Sequence, residues 1–120
     1  MKRILMVEDT EDNRHIVRDL LGASGYELLE AADGAEGVAM ASRHKPDLIL
    51  MDIQLPVLDG YEATRRIKSD PALQHIPIIA VTSFALSGDE VKTREAGCDG
   101  YVAKPFSPRQ LLAKIKEFIG

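Results

Sequence analysis

The sequence has a single cysteine, Cys98, so no internal disulfide is available, and no Cys/His spacing suggests zinc. It has no basic excess: 15 Lys and Arg stand against 19 Asp and Glu, a formal charge of −4. That balance argues against direct nucleic-acid binding, which wants a positive surface. No apolar run approaches the roughly 18 residues of a membrane span. The first stretch, Ile4 to Val7, stops at Glu8-Asp9, too short for a signal peptide. No low-complexity tract, linker or charge block breaks the chain. The expected protein is therefore cytoplasmic, with no membrane contact. Its 120 residues, 45% hydrophobic and 28% charged, suit one domain, 1–120, with a real core.

Short apolar runs at Ile4–Val7, Leu28–Leu29, Leu48–Met51, Ile78–Val81 and Tyr101–Ala103 read as strands. Helical stripes lie between them: Ile16, Val17, Leu20 and Leu21; Val38, Met40 and Ala41; and Leu111, Leu112, Ile115, Phe118 and Ile119. Punctuation agrees. Ser87-x-x-Glu90 and Ser107-Pro108-Arg109-Gln110 read as capping boxes, Asp33 and Asp59 as N-caps, and Gly22 or Gly25 as the end of the first helix. Five βα repeats imply an α/β, doubly wound (βα)5 fold, with helices on both faces of a five-stranded parallel sheet. A strand order of 2-1-3-4-5 would make strands one and three neighbours at the reversal.

The residues that end the strands carry the chemistry. Glu8 and Asp9 follow the first, Asp52 the third, Thr82 the fourth and Lys104 the fifth. Taken singly, each has a plain explanation as a cap, a turn former or a solvated charge. In a doubly wound sheet, however, all of these ends emerge at one edge, where ligands bind. Three converging carboxylates, Glu8, Asp9 and Asp52, with Glu11 and Asp12 at the rim, call for a cation. Oxygen ligands with open positions suit Mg²⁺. Thr82 and Lys104 would add a hydroxyl donor and a positive charge, which together suit a phosphoryl group.

Glu8-Asp9, the segment Lys45-Pro46-Asp47-Leu48-Ile49-Leu50-Met51-Asp52-Ile53-Gln54-Leu55-Pro56, Asp59-Gly60, Val81-Thr82 and Lys104-Pro105 together resemble the receiver domain of two-component response regulators. This is the CheY-like superfamily, whose fold is flavodoxin-like. The Gly88–Tyr101 tract is most similar to stand-alone receivers of the DivK type. The resemblance implies that Asp52 accepts a phosphoryl group from a histidine kinase or histidine phosphotransfer protein. It implies Mg²⁺ on Glu8, Asp9, Asp52 and the Gln54 carbonyl, and Lys104 and Thr82 on the phosphoryl oxygens. It further implies Thr82 and Tyr101 as the switch pair, a cis Lys104-Pro105 bond, and readout by a downstream effector protein on the α4-β5-α5 face. That face is expected to include Leu86, Glu90, Arg94, Tyr101 and Phe106. Ser83 and Phe84 vary from the common pattern, and Phe84 predicts slow loss of the phosphoryl group.

The expected activity is a switch, a monomer or weak dimer, and not an enzyme turning over an external substrate. Its end at Gly120 also fits a module of a larger response regulator or hybrid histidine kinase. A phosphoaspartate-forming phosphatase would want a general acid where Gln54 stands. A flavin binder would want phosphate donors where the acidic Asp9–Asp12 loop stands. A phosphorylation-independent scaffold would not need the intact acceptor, metal and Lys/Thr positions.

Overall fold

The computed structural model describes residues 1–82 and 89–120, with only the backbone at 89 and 90. Five strands alternate with five helices: β1 (Arg3–Val7), α1 (Glu11–Ala23), β2 (Glu27–Ala31), α2 (Gly34–His44), β3 (Leu48–Asp52), α3 (Gly60–Lys68), β4 (Ile78–Thr82), α4 (Asp89–Ala96), β5 (Gly100–Ala103) and α5 (Pro108–Ile119). The strands are parallel, in the order β2-β1-β3-β4-β5.

Both faces of the sheet are covered, which explains why the central strands read as unbroken apolar runs. Alternation along each strand divides the core in two. Ile4, Met6, Leu48 and Leu50 pack with Val17 and Leu21 of α1 and Leu111 and Ile115 of α5. Leu5, Val7, Ile49 and Met51 pack on the other side with Ala41 of α2 and Ala63 and Ile67 of α3. Ile16 departs from its expected stripe: it is 56% exposed, because the arc of α1 that meets the sheet is centred on Val17 and Leu21.

Local chemistry fixes where the helices begin. Asp33 and Asp59 accept the backbone N–H of Glu36 and Glu62 at 2.8 and 2.9 Å. Ser107 and Gln110 form the reciprocal capping box, both bonds at 3.1 Å. Each such cap contributes about 1 kcal/mol. Gly25, at φ 84°, follows α1, whereas Gly22 lies inside it. The Ser87–Glu90 box, with Ser83, Phe84 and Leu86, lies outside the described residues.

Candidate functional site

β1 and β3 are neighbours, with Met6 opposite Leu50 and Val7 opposite Met51. Continuing that register by one residue brings Glu8 beside Asp52. Their carboxylates and that of Asp9 each offer an oxygen within 4.8 Å of the others. Glu8 and Asp52 are buried and Asp9 is exposed, so the cluster opens outward through Asp9. The loop after β3 turns back into α3 directly beneath it. Gly60 makes that return possible, since a Cβ there would run into the Asp52 carbonyl oxygen and lie 2.7 Å from Ile53 Cα.

Lys104, just past β5, reaches across the sheet edge. Its Nζ donates to Glu8 Oε1 at 2.8 Å and to Asp52 Oδ2 at 3.0 Å. Burial works against the ammonium charge. The bond to Glu8 and the negative charge of Asp52 outweigh it and hold Lys104 above its ordinary pKa. Asp9 is shifted upward as well, first by hydrogen bonding with Glu8, then by burial and by the like charge of Glu8. One ammonium thus faces three carboxylates. An oxygen-only donor set with an excess of negative charge and an open side fits a small hard divalent cation.

The other expected residues surround this cluster. Gln54 is exposed, and its N–H donates to Asp52 Oδ1 at 3.2 Å. Thr82 is buried at the end of β4, and its carbonyl accepts the Lys104 N–H at 2.7 Å. Tyr101 is half-buried on β5, paired in register with Ala80. The Lys104-Pro105 bond is cis.

Two expectations shift. Glu11 does not serve the acidic rim, because Arg14 and Arg18 take up its carboxylate at 2.7 and 3.0 Å. Phe106 packs on the α1–α5 core and lines a groove of about 420 Å³ with Met6, Glu8, Asn13, Ile16, Lys104 and Pro105, so it looks toward α1. Arg94 is exposed on α4. The imidazoles of His15 and His75 lie at the surface, and His44 is half-buried; among the described residues none joins a metal-ligating group.

Sequence reasoning missed the residues that hold Glu8. Thr10 donates its N–H to Oε2 at 3.2 Å, Asn13 donates Nδ2 to Oε1 at 3.2 Å, and Arg14 donates Nη1 to the Glu8 carbonyl at 2.6 Å. The available signal was position: all three lie within the six residues after Glu8, where the chain must turn from β1 into α1.

A family model described as the response regulator receiver domain matches residues 4–116. The polar-differentiation response regulator DivK of Brucella anthropi is 48% identical over 119 residues, covering 99% of this chain and 97% of that protein. Among solved structures, the receiver domain of the sensor histidine kinase PA1611 from Pseudomonas aeruginosa is 42% identical. It superposes with a TM-score of 0.93 over 99% of this chain and 98% of that one, and it carries a magnesium ion in its active-site cleft. The Vibrio cholerae chemotaxis protein CheY4 has the same TM-score at 29% identity, covering 99% of each chain.

Proposed function

The chain belongs to the response regulator receiver domain family of two-component signalling, and from that premise we propose that Asp52 is its phosphoacceptor. The observation that carries this reading is the meeting of Glu8, Asp9, Asp52 and Lys104 at one sheet edge, with a single ammonium bonded to two of the three carboxylates. An Asp52 carboxylate oxygen attacks the phosphorus of a phosphohistidine on a histidine kinase or phosphotransfer protein. The P–N bond breaks, the imidazole leaves, and an acyl phosphate remains. Glu8, Asp9, Asp52 and the Gln54 carbonyl would hold Mg²⁺, which would supply positive charge against the phosphoryl group. Lys104 binds one phosphoryl oxygen and Thr82 donates its hydroxyl to another.

Phosphorylation adds close to two negative charges and three strong acceptors. Thr82 and Lys104, joined by a backbone hydrogen bond of 2.7 Å, answer that charge together and bias the strand ends that carry them. Tyr101, two residues before Ala103 (the register partner of Thr82), transmits the change to the α4-β5-α5 face, where a cytoplasmic effector protein reads it. On this reading the chain is a phosphoacceptor, and Gln54 offers no general acid for a phosphoaspartate-forming phosphatase.

The test is incubation with a small acyl phosphate donor and Mg²⁺, followed by intact mass. Wild type should gain one phosphoryl group and Asp52→Asn none. Equal labelling of the two, or no labelling of wild type, would overturn the assignment.

A further inference from the structure

The two oxygens of the buried Glu8 carboxylate are held differently. Oε2 accepts the N–H of Thr10 at 3.2 Å. Oε1 accepts two donors, the Lys104 ammonium at 2.8 Å and the Asn13 amide at 3.2 Å. A carboxylate can only accept, so the amide must present its NH₂ side. Asn13 sits in the first turn of α1, and that turn is anchored to the site. Arg14, the next residue, grips the Glu8 carbonyl at 2.6 Å and also reaches Glu11 and Glu30. The amide is therefore carried by a segment that moves with Glu8.

Lys104 is shared between Glu8 and Asp52. Under the functional reading above, on which this inference rests, its ammonium turns to a phosphoryl oxygen once Asp52 is modified. Oε1 then loses its shorter bond. We propose that Asn13 is a positioning residue that keeps Glu8 Oε1 oriented after Lys104 has been drawn to the phosphoryl group. A neutral donor suits that place. It fixes the carboxylate as an outer-shell partner does, without setting a second positive charge against the divalent cation. The role is conditional: Asn13 shares the task with Lys104 in the resting protein and carries it in the phosphorylated one. A residue that only helped to start α1 would matter equally in both.

Mg²⁺ alone is titrated into wild type, Asn13→Leu and Asn13→Gln, followed by amide chemical shifts, with and without beryllofluoride as the phosphoryl mimic. Loss of an outer-shell partner weakens metal binding about 10- to 100-fold. Asn13→Leu should therefore lose about tenfold in Mg²⁺ affinity with beryllofluoride, and clearly less without it. Asn13→Gln, which keeps the amide donor, should recover part of the loss. In a Lys104→Met background the Asn13→Leu loss should appear in full without beryllofluoride. Equal losses in both states, or none in either, would overturn the positioning role while wild-type Mg²⁺ binding left the functional reading intact. A wild type that did not bind Mg²⁺ would overturn both.

Discussion

Replacing Lys104 with methionine keeps about the same side-chain shape and removes the ammonium bonded to Glu8 and Asp52. The two carboxylates are 1% and 8% exposed, and the lysine side chain is 21% exposed, so water can replace little of what is lost. A charge pair at about 4 Å is worth about 4 kcal/mol at an effective dielectric constant of 20. Removing one partner of a buried pair typically costs about 3–5 kcal/mol. Partial exposure of the lysine argues for the lower end, so metal-free Lys104→Met should lose about 3 kcal/mol of folding stability. With a urea slope of about 1–3 kcal/mol/M, that is a fall of about 1–3 M in the unfolding midpoint.

Mg²⁺ decides whether this reasoning is right. The variant presents three carboxylates with no internal cation, so it should bind Mg²⁺ more tightly than wild type, in which the ammonium competes for the same oxygens. A ligand at a hundred times its dissociation constant stabilises by about 2.7 kcal/mol. Urea unfolding of both proteins, with and without millimolar Mg²⁺, should therefore show the gap between them closing by most of its metal-free value. A gap indifferent to Mg²⁺ would mean that the carboxylates are not a shared cation site. A metal-free variant as stable as wild type would mean that they are already neutralised by protonation or relaxed into solvent.

Asp9→Asn should raise the metal-free melting temperature near pH 7. The upward shift of Asp9 means that its protonated form is favoured in the native state, so the native state loses stability as pH rises from about 4 through the shifted value. The advantage should vanish below about pH 4, and the variant should gain less from Mg²⁺; a lower metal-free melting temperature at pH 7 would refute this. Gly60→Ala should destabilise by about 3 kcal/mol or more and shift amide resonances around Asp52, because the added methyl meets backbone that cannot turn aside; a wild-type urea midpoint would refute that. Cys98, whose thiol burial pushes to about 11, should alkylate at pH 8 about a hundredfold more slowly in native protein than in urea; equal rates would place it at the surface.

The convergence of the site's groups was legible for one reason: once the strand order is taken as 2-1-3-4-5, the residue type at each strand's C-terminal end in a parallel doubly wound sheet is a coordinate. Asp52 and Lys104 are 52 residues apart in sequence and 3.0 Å apart in space, and strand endings alone brought them together. What was not legible depended on side-chain direction within helices and loops. Glu11 lies beside the acidic pair in sequence, yet it turns to Arg14 and Arg18 and binds them in a network with Glu30. Asn13 had no distinguishing pattern, although its side-chain amide bonds the Glu8 carboxylate. Val57 stands in the left-handed region at φ 69° and is 83% exposed, and a β-branched residue gives no hint of that backbone state. Ile16 reads by hydrophobicity as a stripe residue and the family resemblance puts Phe106 on the output face, but both line the groove that runs from Glu8 between α1 and the β5–α5 connection. Strand ends therefore specify which groups meet, while helix rotation decides which neighbours hold them. That is why the groups that meet at the site were readable and the residues that hold them were not.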